Sequence, residues 1–213
     1  MQLKHLLAPS LLASALLLSA GHALAGADLS VNGHIRPGGA CSLTLGNGGT
    51  LDLGTISRKD LKEAKETAFL WWNHEISLGI HCQAPTKVAF RALDNRAGTS
   101  THDNMFGLGA SGGKNVGAFT VIDLEEEIIG DGTKLVHLVD WSDKGSSWEA
   151  GYGAIKATPH LSSWAEPGQS SPQAFQNISS RMGVYGIIAP VKDLDQSQEI
   201  AIDGSATMEL VYL

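Results

Sequence analysis

The sequence predicts an all-β protein, an antiparallel β-sandwich, on three observations. Short runs of alternating apolar and polar residues recur along the chain, the period-two pattern of strands with one buried face. Glycine- and asparagine-rich punctuation separates those runs, with 25 glycines in 213 residues, as turns between short strands require. Almost no stretch has the period of an amphipathic helix. About eight to ten short strands without packed helices leave two facing sheets as the way to bury their apolar faces.

The first element is not a strand. Met1 to Ala25 has one early charge, Lys4, an apolar run from Leu11 to Leu18 and the cleavage signal Ala23-Leu24-Ala25, which together read as a secretory signal peptide. No later stretch reaches the roughly 18 to 20 apolar residues that a spanning helix needs. Removing the signal takes away Lys4 and no acid, so the formal charge of −7 becomes −8, which argues against nucleic acid as a partner. About 190 residues remain, enough for a core that does not depend on metals or many disulfides. Two cysteines in an exported chain imply one bridge, Cys41 to Cys82. Its closed loop of about 40 residues would stabilise the fold by roughly 2 to 4 kcal/mol.

Ala27 to Arg36 is a strand that alternates Leu29, Val31, Gly33 and Ile35 on one side and stops at Pro37-Gly-Gly39. By itself it is either the first strand of the domain or a strand made to be buried in another subunit. After Cys41, Ser42 to Leu45, the turn Gly46-Asn-Gly-Gly49 and Thr50 to Ile56 read as strand, turn, strand, with Leu51 and Leu53 on one face. Ser57 to Glu66 is at most a short surface helix, having only Leu61 and Ala64 to anchor it.

Glu75 to Cys82 places Cys82 in register with Ile76, Leu78 and Ile80, and Thr86 to Leu93 turns Val88 and Phe90 inward. Asp94 to Gly117 is loop with at most one short edge strand. Val116 to Leu124 and Thr133 to Trp141 are expected as strands about the turn Gly130-Asp-Gly132, with Glu125 to Glu127 a solvated face. Ser142 to Gln173 is expected to be irregular. Arg181 to Ala189 is a strand ended by Pro190, and Glu199 to Leu213 is the last, with Met208, Leu210 and Tyr212 on one face.

Constellations for chemistry are weak, and no enzymatic activity and no cofactor are expected. His74, His81 and Cys82 lie close in sequence but lack zinc-site spacing, and on a strand His81 points away from Cys82. Gly-x-Ser-x-Gly is absent, and His102-Asp103 sits in a turn-rich loop. Among the tryptophans, Trp71, Trp72 and Trp141 border strands and are expected to be buried. Trp148 and Trp164, in polar irregular stretches, are the surface candidates for stacking on a sugar.

One set of residues matches a known pattern. The alternating N-terminal strand with Gly33, then Cys41, Leu53-Gly-Thr-Ile56, Cys82 and a C-terminal alternating strand with penultimate Tyr212 resembles chaperone-usher pilins, the subunits of fimbriae on Gram-negative bacteria. Gly46-Asn-Gly-Gly-Thr-Leu-Asp-Leu-Gly-Thr-Ile56, Cys82-Gln-Ala-Pro-Thr-Lys-Val88, Asp94-Asn-Arg96 and Gly204 to Leu213 are similar to a poorly characterised branch of those fimbrial proteins. The resemblance implies an immunoglobulin-like sandwich lacking its last strand. Residues 1–25 would be the signal peptide, 26–37 the donor-strand extension and 38–213 the pilin domain.

It also implies the partners: a periplasmic chaperone that lends a strand, an outer-membrane usher, and other pilin subunits, with export through the periplasm to a cell-surface fimbrium. Such strand donation is a known mode of β-augmentation. Leu29, Val31 and Ile35 would fill pockets in a neighbour, at roughly 1.5 to 3 kcal/mol each, with Gly33 over a shallow pocket. Met208, Leu210 and Tyr212 would line the groove, and the Leu213 carboxylate would anchor the chaperone. The alternative is a fimbrial adhesin or a secreted binding module for a host or carbohydrate ligand. Ile200 stands where the pilin pattern often has glycine, the nearest being Gly204, and residues 94–173 are long for a minimal pilin.

Overall fold

A computed structural model describes residues 40–70, 75–124 and 127–213. By its internal contacts the chain divides into Met1–Ile35 and Arg36–Leu213, and all described residues belong to the second unit. The signal peptide, the proposed donor residues Leu29, Val31, Gly33 and Ile35, and also Trp71, Trp72 and His74, lie outside the described residues.

The described chain is all-β and antiparallel, with only short 3-10 turns besides. In order the strands are β1 (Cys41–Leu45), β2 (Thr67–Leu70), β3 (Ile76–Thr86) and β4 (Val88–Asp94). Three two-residue strands follow, β5 (Phe106–Gly107), β6 (Ala110–Ser111) and β7 (Lys114–Asn115), and then β8 (Gly117–Asp123). Next come β9 (Ile129–Gly130), β10 (Thr133–Lys134), β11 (Val136–Asp140), β12 (Glu149–Ala150) and β13 (Ala154–Ile155). The chain ends with β14 (Leu161–Ala165), β15 (Phe175–Ile188) and β16 (Ala206–Tyr212).

One sheet runs β1-β3-β15-β8-β13 with β2, β5, β9 and β10 attached; the facing sheet runs β12-β11-β14-β4-β16; β6 and β7 form a separate hairpin. This is an immunoglobulin-like sandwich. Its core is where the alternation of the sequence places it: Leu78, Ile80 and Cys82 from β3 meet Val88, Phe90 and Ala92 from β4 across the two layers. Phe90 packs against Trp164 with ring centroids 5.4 Å apart, and Phe106 against Phe119 at 5.1 Å. The fourteen-residue β15 is the axis of the first sheet, pairing with β3 and β9 along one half and with β8 and β2 along the other. Cys41 and Cys82 stand directly opposite each other in the β1–β3 ladder and are joined by a disulfide.

Several sequence expectations are corrected. Thr50–Ile56 is not a strand: Leu51 and Leu53 do turn inward, but no described strand lies beside the segment to close a ladder. Ser57 to Glu66 holds only a 3-10 turn, Arg58–Asp60. Val116–Leu124 and Thr133–Trp141 do not pair about Gly130-Asp-Gly132. That turn, with positive φ at Asp131 and Gly132, joins β9 to β10, the geometry an Asp-Gly hairpin favours, while β8 and β11 lie in different sheets.

The stretch expected to be irregular contains β14, every residue of which is buried. Its Leu-Ser-Ser-Trp-Ala lacks apolar alternation because the serines are buried too, Ser163 Oγ donating to the Val88 carbonyl at 2.7 Å. The last strand starts at Ala206 rather than Glu199. The tryptophan expectations reverse: Trp164 is 1% exposed, Trp148 is half-buried, and Trp141 is 47% exposed.

Candidate functional site

The sandwich has two long edges. At one, β1 ends the first sheet and β16 ends the second. The register of β16 on β4 is one to one, from Ala206 opposite Asp94 to Tyr212 opposite Val88. Beyond its ends, the Leu213 N–H donates to the Lys87 carbonyl at 3.1 Å and the Asn95 N–H to the Ser205 carbonyl at 3.0 Å. Ladder hydrogen bonds alternate in an antiparallel pair, so the odd-numbered residues of β16 bond to β4. The N–H and C=O groups of Ala206, Met208 and Leu210 therefore point to the opposite side, where no described strand takes them up.

The side chains of those same residues face inward, half-buried against the core. Beside them the two layers are parted by a cavity of about 670 Å³, within the range of sites that take a ligand or a peptide segment. Its floor is aliphatic and aromatic, with Phe106, Phe119, Val121, Met182 and Ile188 among its residues. One lip is Leu51, Leu53 and Ile56 from the unpaired Thr50–Ile56 run, and the other is Ile200, Ile202, Ala206 and Met208. The charged residues that reach it, Asp52, Arg58 and Glu199, are exposed at the rim.

The second lip is pinned from outside. Arg96 Nη2 and Nε donate to Asp203 at 2.8 and 3.0 Å, and the hydrogen bond from Arg96 holds the Asp203 carboxyl below its ordinary value. The Asp203 N–H donates to the Leu108 carbonyl at 3.1 Å. Gly204 follows it, and a Cβ there would stand 2.7 Å from Phe119 and 2.9 Å from Leu108. Glycine is thus placed where the lip touches the floor, four residues beyond the position at which the pilin pattern has it.

Of the residues singled out for the groove, Met208 lines the cavity. Leu210 and Tyr212 continue the same inward row but lie past the cavity's end, where the Cys41 N–H donates to Tyr212 Oη at 2.8 Å. Leu213 is exposed, its side chain beside Gly145. Sequence reasoning singled out Ile200 and Gly204 only as departures from the pilin pattern and missed Ile202, although the alternation of Ile200 and Ile202 continues that of Met208 and Leu210.

Among the described residues the groove is lined by no nucleophile paired with a base, and no group of three or more His, Cys, Asp or Glu side chains could hold a metal ion. His102 lies instead at a surface contact, its Nε2 3.3 Å from Glu66, and His81 is exposed and bonded to Asn177. No helix among the described residues is long and apolar enough to cross a membrane. An apolar trough beside a strand with open backbone groups is suited to an extended segment, which can fill the trough with alternate side chains and complete the ladder.

Comparison with known protein families covers one side of this edge, the β1 side, and not β16. A family described as a protein of unknown function (DUF1120) matches residues 29–115, which hold the alternating sequence Leu29 to Ile35, both cysteines, the Leu51–Ile56 lip and the Phe106–Leu108 part of the floor. The chain is 24% identical over 207 residues to a protein of Escherichia coli K12 named uncharacterized protein YhcF, covering 82% of this chain and 85% of that one. It is 26% identical over 224 residues to the protein GltF of the same organism, covering 87% and 88%.

Proposed function

We propose that this chain is a structural subunit of a fimbria, exported through the periplasm and polymerised by donation of the Ala27–Arg36 strand of one subunit into the groove of another. One observation carries the reading: the edge of β16 offers backbone groups from Ala206, Met208 and Leu210 that no strand among the described residues pairs, directly beside an apolar cavity. A donor entering there can satisfy the backbone and the cavity at once. Leu29, Val31 and Ile35 are of the kind the floor accepts, and Gly33 suits a shallow point. The same edge would be a liability if left open, so a periplasmic chaperone would cover it until an outer-membrane usher exchanges it for the next subunit's strand. The role is architectural, with no catalysis.

The test is co-expression with a periplasmic chaperone and an outer-membrane usher, comparing the full chain with one lacking residues 27–36. Both forms are expected as chaperone-bound monomers, and only the full chain as heat-resistant multimers. A synthetic peptide of residues 27–36, added to the shortened chain after chaperone removal, is expected to raise its melting temperature, and a scrambled peptide is not. Multimers that persist without the extension would overturn the reading.

A further inference from the structure

The second long edge of the sandwich is finished differently, because the chain itself crosses it. β12 pairs with β11 in one sheet, β13 pairs with β8 in the other, and Gly151-Tyr152-Gly153 bridges the two. The bridge is held by backbone at both its ends: the Gly151 N–H donates to the His137 carbonyl at 3.0 Å, and the Asp123 N–H to the Gly153 carbonyl at 2.8 Å, while beyond it Ile155 is buried in the core and its carbonyl accepts from Thr120 Oγ1 at 2.7 Å. Tyr152, between them, is 92% exposed and adds no apolar anchor. Gly151 rests on the imidazole of His137, so closely that a Cβ would collide with Nδ1.

What the strap covers is out of keeping with an ordinary core. His137 is 1% exposed and neither of its ring nitrogens has a hydrogen-bond partner among the described residues. His160, also 1% exposed, uses Nδ1 on the Thr158 carbonyl at 2.8 Å and leaves Nε2 without one. Buried polar groups are normally paired, and a buried charge without a partner is far costlier than a buried dipole. The fold therefore accommodates His137 only as the neutral ring.

We propose that the Glu149–Gly153 part of the strap is an acid-released latch, which lifts from the sandwich edge when His137 takes up a proton, while Ile155 stays anchored in the core. None of the charged and titratable groups on the surrounding elements makes a hydrogen bond to the His137 ring while the strap is down. Asp123 of β8 accepts from Trp164 Nε1 at 3.2 Å, and Glu149 of β12 accepts from Trp141 Nε1 at 2.5 Å. Asp143 pairs with Arg91 at 3.3 Å, and Asp140 is taken up by the N–H groups of Ser142, Ser146 and Ser147. Lys156 and His160 can only repel it, Lys156 lying 4.6 Å over the Trp141 ring.

Burial, and then the neighbouring His160, hold the His137 ring down to about 4 in the closed fold, against about 6.5 for a ring in water. The open form thus binds the extra proton between those two values. Opening is favoured as pH falls from about 6.5 toward 4 and gains nothing further below that. Between pH 7 and pH 5 the opening constant rises about twentyfold.

The test is hydrogen exchange on the mature chain at pH 7 and pH 5, with rates corrected for the chemical pH dependence, followed in peptides covering 136–140 and 149–153 and in β3 as the control. The corrected exchange of the first two is expected to rise at least tenfold at pH 5 while β3 is unchanged. His137→Leu is expected to abolish the rise and His160→Gln to keep most of it. A titration of the His137 ring by NMR on the wild-type chain serves where the leucine variant does not fold, with a midpoint well below 6 expected. Equal corrected rates at the two pH values, a rise that survives His137→Leu, or a ring that titrates near 6.5 in the closed fold would each overturn the latch.

Discussion

The backbone N–H of Cys41 donates to the phenolic oxygen of Tyr212 at 2.8 Å, across 171 residues of sequence. The first described strand of one sheet is thereby fastened to the last strand of the other, at the end of an edge whose remainder is unpaired among the described residues. The disulfide stands at the same residue, so three constraints meet there: the β1–β3 ladder, the Cys41–Cys82 bond and the anchor of β16.

Tyr212→Phe keeps the ring and deletes the acceptor. The Cys41 N–H lies at a partly exposed strand end and can turn to water, so the expected loss is about 0.5 to 1.5 kcal/mol in urea unfolding of the mature chain. Tyr212→Ala also removes a half-buried ring and is expected to cost about twice that or more.

Replacing Cys41 and Cys82 together by alanine opens a loop spanning 41 residues. A loss of about 2 to 5 kcal/mol is expected, seen as a lower melting temperature that no longer responds to reductant. Because Tyr212 hangs on the Cys41 backbone, hydrogen exchange in β16 should rise as well as in β1.

Gly204→Leu drives a side chain into Phe119 and Leu108. Overpacking of this kind costs about 1 to 3 kcal/mol, and it narrows the groove at the end where Ile200 and Ile202 form the lip. The expected outcome is a folded chain with weakened uptake of the 27–36 peptide in a titration. Unchanged uptake would mean that the peptide does not reach that end.

Asp140 is buried at the foot of the loop after β11. Burial by itself would raise its carboxyl, but donation from Ser142 Oγ and from the N–H groups of Ser142, Ser147 and Ser146 outweighs it and brings the group to about 2. A carboxyl lowered in the fold contributes stability above its unfolded value near 4, and that contribution is lost as pH falls from about 4 toward 2. Asp140→Asn should flatten the stability profile in this window and lower stability at neutral pH by about 1 to 3 kcal/mol.

The parts of this fold legible in the sequence are those where one face is dry and the other wet. Ile76, Leu78 and Ile80 on β3 and Met208 and Leu210 on β16 alternate because their strands each have a single buried face, and the structure places them as the alternation implies. Strand β14 was not legible, since Ser162 and Ser163 are buried beside Trp164 and the polar residues carry no outward signal. Thr50–Ile56 has the pattern of a strand without being one, for its alternation answers to the cavity wall while its ladder partner is missing among the described residues. Trp141 lies at a strand end, a place that favours burial, yet Lys156 and Glu149 hold it at the surface. Contacts of that kind depend on where the turns bring distant residues, which a local pattern does not encode.

The pairing of β16 with β4 also dictates when this domain can fold. Arg91 and Glu209, cross-strand neighbours joined at 3.2 Å, are separated by 118 residues, so the ladder that completes the second sheet closes one of the longest loops in the chain. Closing a long loop is entropically unfavourable and slow, and topologies dominated by distant contacts fold late. A chain emerging in order from its N-terminus must therefore keep β4 waiting, with one edge bare, until the final residues arrive. A chain cut short by as few as eight residues would lack β16 altogether, leaving nothing at its C-terminus to cover that edge.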